Sequence, residues 1–351
     1  MNMHKHNRTS TLQGRCGGFS MVELMVAMVI TLILLAGIGQ IFLSSKKSYT
    51  IQDTLGRMQE NGRYATETLV TDLRRAGYWG GNADVNVIED YTPGGALNGN
   101  KIATDDGTCA NVNWARMLTH RIFGKDDSRA SYSCLPSDPV HIGDILVVRY
   151  SAPWKVGGTT TPGYQANQYY IRSSLFEGRL FQGSAEAGYP LTTAAVRTAE
   201  LVSHAYFIHN STNSDPNKCP GSAAVPSLYR LALVNGALAV EEVAYGVDNL
   251  QVQYGLDTDG DDSVDSYIDA VAPTDSRWDQ VIAARIWLLV RAECPEGGYD
   301  NTNTYAMGNV NYAPGTTDRD ADGNIDGDVD GDGTDDFRRQ LFTSTVRLRN
   351  N

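Results

Sequence analysis

The 351-residue chain has no excess of basic charge: 29 Lys and Arg stand against 41 Asp and Glu, a formal net charge of −12. Such a balance does not neutralise phosphates, so nucleic acid is not an expected partner. There is no CxxC pair among the five cysteines, Cys16, Cys109, Cys134, Cys219 and Cys294, which removes the spacing of zinc knuckles and thioredoxin-type sites. GxSxG, HExxH and a phosphate-binding Gly-Lys-Ser/Thr loop are absent as well, so no nucleophile elbow, zinc protease or nucleotide loop is indicated. His204 and His209, five residues apart in a strand-like stretch, read as sheet histidines rather than metal ligands. The sequence is not expected to encode an enzyme. It also lacks repeats and long tracts of one residue type; its 35 glycines suit a β-rich domain with many turns. At this length one large or two modest domains with a sizeable core are possible.

What the chain does have is one long apolar run. Residues 1–18 are polar and carry Lys5, Arg8 and Arg15, whereas Leu24 to Leu43 is almost wholly apolar, about 20 residues, enough to cross ~30 Å of hydrocarbon as a helix. A secretory signal would show small residues at a cleavage site after this run. Instead Ser44-Ser45-Lys46-Lys47 follows, so the cut must lie elsewhere. Inside the start of the run sits Glu23. An ionised carboxylate in a lipid-facing helix costs several kcal/mol, on the order expected for an unpaired charge, unless it finds a partner. An α-amino group on a neighbouring helix would serve.

The junction Gly17-Gly18-Phe19-Ser20-Met21-Val22-Glu23 resembles the prepilin signal of type IV pilins and type II secretion pseudopilins. The resemblance implies cleavage between Gly18 and Phe19 by a prepilin peptidase, N-methylation of Phe19, retention of the apolar helix, and an assembly role for Glu23 opposite the new amine of another subunit. Residues 1–18 are then a removed leader, residues 19–43 a membrane half-helix, and residues 44–351 lie in the periplasm of a Gram-negative-type cell. The charge bias across the run is too even to orient it unaided.

No proline occurs before Pro93, and Ile51, Leu55, Met58, Gly62, Ala65, Leu69, Leu73 and Ala76 recur at spacings of three and four, one face of a helix. Arg74, Arg75 and Gly77 form a helix stop. The expected helix covers 19–76, about 85 Å at 1.5 Å per residue, with 44–77 as its amphipathic half. Gly37 and Gly39 weaken it by about 1 kcal/mol each, suiting either local melting or close helix packing.

Residues 78–140, rich in Gly, Asn, Asp and Pro, read as a long irregular insertion. Strands are expected at Asp144–Tyr150, Gln168–Arg172, Leu175–Phe181, Leu201–His209, Leu228–Val234, Ala237–Val243, Leu250–Leu256, Val281–Arg291 and Phe337–Leu348, with a hairpin turn at Asn235-Gly236. Trp154, Tyr164, Tyr169 and Tyr170 are read as packing. The expected fold is α+β, a long N-terminal helix packed on an antiparallel β-sheet domain spanning 78–350.

The segments Ser227-Leu228-Tyr229-Arg230 and Glu241-Glu242-Val243-Ala244-Tyr245-Gly246-Val247-Asp248-Asn249-Leu250-Gln251-Val252-Gln253-Tyr254-Gly255, with Trp278 and the ending Thr345-Val346-Arg347-Leu348-Arg349-Asn350, are similar to the PilW family of minor type IV pilins. That resemblance implies a pilin-like fold, pilus biogenesis and twitching motility, and as partners other minor and major pilins, the peptidase, the inner membrane and a tip adhesin. The rivals are a type II secretion pseudopilin and a calcium-dependent adhesin or ligand-binding module on a filament.

With Cys16 lost in the leader, four cysteines remain in an oxidising compartment. Two disulfides are expected, and three connectivities are open; the nearer partners are Cys109 with Cys134 and Cys219 with Cys294. Asp257, Asp259, Asp261 and Asp265 place oxygens at alternate positions of a glycine-containing loop. Asp318, Asp320, Asp322 and Asp326 repeat the spacing, as do Asp328, Asp330, Asp332 and Asp336. These are candidate calcium ligands, without the Glu at position twelve of an EF-hand, and the competing reading is a solvated acidic turn. No cofactor is required beyond this possible calcium.

Overall fold

The computed structural model describes residues 18–81, 84–90, 107–109, 111–127, 132–136, 143–154, 156, 163–183, 197–212, 219, 225–314 and 335–350. Two compact units are distinguished, residues 1–53 and 54–351. Each is taken by itself.

A single helix, α1 (Met21–Arg75), crosses the boundary in sequence. Ser20 starts it: its hydroxyl accepts from Val22 N at 3.3 Å and its carbonyl from Leu24 N at 3.1 Å, so the residue acts as an N-cap. With no proline to break the ladder, the helix runs uninterrupted through Gly37 and Gly39. It stops where Gly77 takes φ +75°, a left-handed conformation that costs glycine little. The freed carbonyls are met from the far end of the chain, because Asn350 donates to the oxygens of Ala76 (3.2 Å) and Arg75 (3.5 Å).

In the second unit α1 buries Met58, Gly62, Ala65, Leu69, Asp72 and Leu73, the face expected from the spacing plus one carboxylate. Gly62 is required by close approach: a Cβ there would lie 2.2 Å from the Phe342 ring. Residues 18–50 are all exposed within their own unit.

Among the described residues the domain holds fourteen strands. The first sheet contains β1 (Ile88–Asp90), β2 (Ile122–Lys125), β3 (Ile145–Ser151), β4 (Tyr169–Ser173), β5 (Gly178–Gln182), β6 (Arg197–Asn210), β7 (Pro226–Val234) and β8 (Ala237–Tyr245). Long β6 pairs in turn with β4, β3 and β7. All its pairings are antiparallel except β1 with β5. The second sheet orders β10 (Ser266–Ile268), β9 (Val247–Leu256), β11 (Val281–Arg291) and β14 (Arg339–Arg347). The hairpin β12 (Tyr305–Met307) and β13 (Val310–Tyr312) brings Met307 onto Trp287 and Leu289. One continuous core joins residues 58–73 of the helix to both sheets, with Leu146, Val148 and Tyr206 from the first and Leu250, Val252, Ile286 and Leu288 from the second.

The fold is therefore α+β, a long helix on mostly antiparallel sheets, as expected. Asn235 and Gly236, at φ +48° and +75°, join β7 to β8 in the primed turn that matches strand twist. Two expectations need correcting. Residues 78–140 are not simply irregular: their described parts supply β1, β2 and the fully buried Phe123, Trp114 and Ala115. Strands of three or four residues are too short for alternation to reveal them. Leu175 and Phe176 do not lie in a strand; they are 65% and 74% exposed in a turn closed by Ser174 N to Glu177 O at 2.8 Å, and the strand begins only at Gly178. Of the four aromatics, Tyr164 and Tyr170 pack with Phe181 and Val156, Tyr169 stands under Arg116, and Trp154 is exposed.

Candidate functional site: the apolar helix and the carboxylate clusters

The first candidate is the start of α1. Gly18 and Phe19 precede the helix and both are exposed, and Glu23 lies exposed in its first turn, where a negative charge meets the positive end of the helix dipole. Residues 1–17 lie outside the described residues. From Leu24 to Leu43 large apolar side chains point outward on every side, including Leu24, Ile30, Leu34, Ile38 and Phe42. The polar hydroxyl of Thr31 turns back to Ala27 O at 2.7 Å, which satisfies it within the helix. Nothing lies within 4 Å of a Cβ placed at Gly37 or Gly39. This stretch is long and apolar enough to cross a membrane, with none of it buried. Water would be a poor solvent for it; lipid or the same helix of neighbouring subunits would not.

At the other end α1 is tied down by an acid the sequence analysis did not single out. Asp72, 4% exposed, accepts from the hydroxyls of Tyr150 on β3 (2.8 Å) and Tyr206 on β6 (2.6 Å), and meets His204 Nδ1 at 2.5 Å. Burial works to raise its pKa, but the bonds from His204, Tyr206 and Tyr150 outweigh it and the net shift is downward. Tyr206 is pushed well above its ordinary value, by burial and by the Asp72 charge. This network fixes the rotation of the helix on the first sheet. The sequence signal was faint: one acid on an otherwise apolar helical face.

Three of the four candidate ligands in the β9–β10 loop converge. Oxygens of Asp257, Asp259 and Asp265 lie within 4.8 Å of one another, while Asp261 is not among them and instead accepts from Ser263 N at 2.7 Å. The loop is also held from within. Asp257 accepts from Gly260 N and Asp262 N (2.6 and 2.9 Å), and Asp265 from Thr258 N and Oγ1 (2.7 and 2.6 Å). The Thr258 hydrogen bonds lower the Asp265 pKa. Asp318, Asp320, Asp322, Asp326, Asp328, Asp330 and Asp332 lie outside the described residues; Asp336 is fully buried.

A further cluster was not foreseen. Asp126 and Asp127, directly after β2, and Asp144, directly before β3, bring carboxylate oxygens within 4.8 Å of one another. Burial pushes the Asp144 carboxyl up to about 8, against the pull of backbone N–H groups of Asp127 and Val252. Seventeen residues separate Asp127 from Asp144, so no local pattern links them; only the β2–β3 pairing does.

Cys109 is bonded to Cys134 and Cys219 to Cys294, each pair with Cα atoms 5.3 Å apart. His204 serves Asp72, and His209 Nδ1 lies 2.8 Å from Asn210 O, so neither histidine is part of a described metal cluster.

Two family models match the chain. One, described as type IV pilus-assembly protein W, covers residues 205–350; the other, the prokaryotic N-terminal methylation motif, covers residues 14–39. No curated protein and no solved structure matches the chain.

Proposed function

We propose, from the premise that this chain is a PilW-family pilin with a prepilin signal, that it is a minor subunit that helps initiate type IV pilus assembly through its N-terminal helix. The observation that carries this reading is the coincidence of the Gly18-Phe19 junction, Glu23 and a helical stretch, Leu24 to Leu43, that is apolar on every side and exposed throughout. A peptidase cuts between Gly18 and Phe19 and the new amine is methylated. The helix then holds the subunit in the inner membrane by its apolar run, with the domain outside the cytoplasm, where its two disulfides persist.

Leaving lipid for a filament costs the helix little apolar burial if it enters a bundle of equivalent helices. There lipid-facing side chains exchange lipid for protein and the driving force is packing. Glu23 supplies the register. In a lipid-facing or bundled helix its carboxylate is stabilised by the Phe19 amine of a neighbour at an axial offset, and no other offset brings the two charges together. Major and minor pilins are the partners this chemistry selects, with a tip adhesin a further one, and loss of twitching is the phenotype expected of its deletion. A pseudopilin would instead be needed for secretion.

The test is the intact mass and N-terminal residue of the membrane-extracted protein from cells with and without prepilin peptidase, joined to filament recovery of Glu23→Ala. A chain beginning at methylated Phe19 only with the peptidase, and a Glu23→Ala subunit that inserts into the membrane but stays out of sheared filaments, are the expected results. An uncut chain in both cells sinks the proposal.

A further inference from the structure

The second sheet uses its two faces differently. Phe342 of β14 turns inward onto Gly62, and Val346 is buried on the same side. The opposite face carries Trp287 and Leu289, which pack with Met307 of the β12–β13 hairpin. Beyond the hairpin this outer face holds Gln253, Arg285 and Thr345 as cross-strand partners in one row. Thr343, Thr345 and Arg347 on β14 are exposed there, and Arg285 is half-buried.

Arg285 differs from the other strand arginines. Its guanidinium lies over the Tyr267 ring, 4.0 Å from the centroid, and 5.9 Å from that of Trp287, so stacking fixes the plane of its fork. Arg149, Arg179, Arg197, Arg230 and Arg339 each donate to a carbonyl or a carboxylate. Among the described residues nothing accepts from the Arg285 side chain, and no acid lies within ion-pair distance of it. Gln253 beside it donates instead to Asp269 at 2.9 Å. A half-buried guanidinium, already oriented and with its donors free, suits a carboxylate that arrives from outside, because the fold has met part of the desolvation.

The complementary charge is on the same molecule but out of reach. Asp259, Asp261 and Asp262 are exposed in the loop that follows β9. Leu256, the last residue of β9, pairs with Val281, so Arg285 stands four residues, about 13 Å, further along its strand. From this face it is Arg347 that approaches the loop, 3.8 Å from Asp262.

We propose that the outer face of the second sheet is a self-association surface, on which Arg285 of one copy binds the exposed carboxylates of the β9–β10 loop of a second copy. The converse contact forms across a two-fold axis. Cation and acid lie on one face at different distances from the sheet end, which is the arrangement an isologous contact needs, since residue i meets j and j meets i. An open sheet face lacks the concavity that holds small anions, so the carboxylates come from a protein surface. The contact is polar and small, hence weak and sensitive to salt. It is populated where subunits are held close together, as on one membrane. The inference does not depend on the pilin reading.

The test uses the full chain in detergent with a chelator present, its mass followed by light scattering over a concentration series. Dimers are expected at an ionic strength of about 0.01 M, and their affinity is expected to fall at least about tenfold near 1 M, where the Debye length shrinks from about 30 Å to about 3 Å. Arg285→Glu weakens dimerisation at least about tenfold, and so does Asp259→Lys with Asp261→Lys, because each sets like charges opposite one another. Mixed together, these two variants restore the dimer, since both junctions again join opposite charges. Arg285→Gln is expected to weaken the dimer at an unchanged melting temperature, which separates the lost charge from a damaged fold. A chain that is monomeric at every concentration overturns the proposal. So does an association that neither charge reversal alters, as the apolar helix alone would give, or a pair of variants that fail to restore each other when mixed.

Discussion

Residues 21–50 and 54–75 belong to one helix and share none of its circumstances. The first stretch is exposed throughout its unit, and from Leu24 to Leu43 it is apolar on all sides. The second alternates, burying Met58, Gly62, Ala65, Leu69 and Leu73 and exposing Arg57, Glu60 and Arg63. Backbone geometry does not distinguish them, since helix formation requires only the absence of proline and continuous hydrogen bonding. The pattern of polar residues does. A helix with a polar stripe can settle on one domain and is complete there. One without a stripe stays incomplete until lipid or other helices surround it. Storage in a membrane and assembly in a filament are two ways of completing the same surface.

The comparison breaks most severely at Asp72. Asp72→Ala would leave Tyr150, Tyr206 and His204 without their acceptor in the core, a loss of about 4 kcal/mol in domain stability. Urea unfolding of the detergent-solubilised chain measures it, and a loss below about 1 kcal/mol would mean that packing alone seats the helix.

Acid should act through the same residue. The Asp72 pKa lies below the ordinary 3.8, so the unfolded chain takes up the proton first as pH falls. The stability Asp72 contributes is whole above pH 3.8 and is lost as pH drops through the lowered folded value. Comparing urea midpoints at several pH values from 5 downward, Asp72→Asn is expected to flatten that part of the profile; an unchanged slope would assign the acid sensitivity elsewhere.

The smallest effect is expected in the membrane half. Leu34→Ala should change domain unfolding by no more than about 0.5 kcal/mol, because Leu34 is 61% exposed. The same truncation at Leu69, which is fully buried, costs about 2–5 kcal/mol. Equal losses at both positions would erase the distinction between the two halves.

Much of this was open to reading in one dimension. The helix, its buried face, its stop at Gly77, the Asn235-Gly236 turn and the strand Val281–Arg291 depend on neighbours within a few residues, and periodicity reports such neighbours directly. The short strands β1, β2, β10, β12 and β13 went unseen because three or four residues carry no period. Leu175 and Phe176 misled because apolar side chains usually mark burial, and here they cap an exposed turn. In the acidic loop, alternate spacing brought Asp257, Asp259 and Asp265 together but not Asp261, since the turn at Asp262, with φ +65°, interrupts the alternation.

By itself the sequence determined the N-terminal methylation motif, the apolar span and the amphipathic face, because each is written in contiguous residues and in a local solvent preference. Only the tertiary structure decided that Asp72 meets His204, Tyr150 and Tyr206, and that Asp126, Asp127 and Asp144 converge where Gln251 donates to Asp127. Those contacts join residues up to 134 positions apart; sheet pairing and burial bring them together, and no local preference along the chain records them.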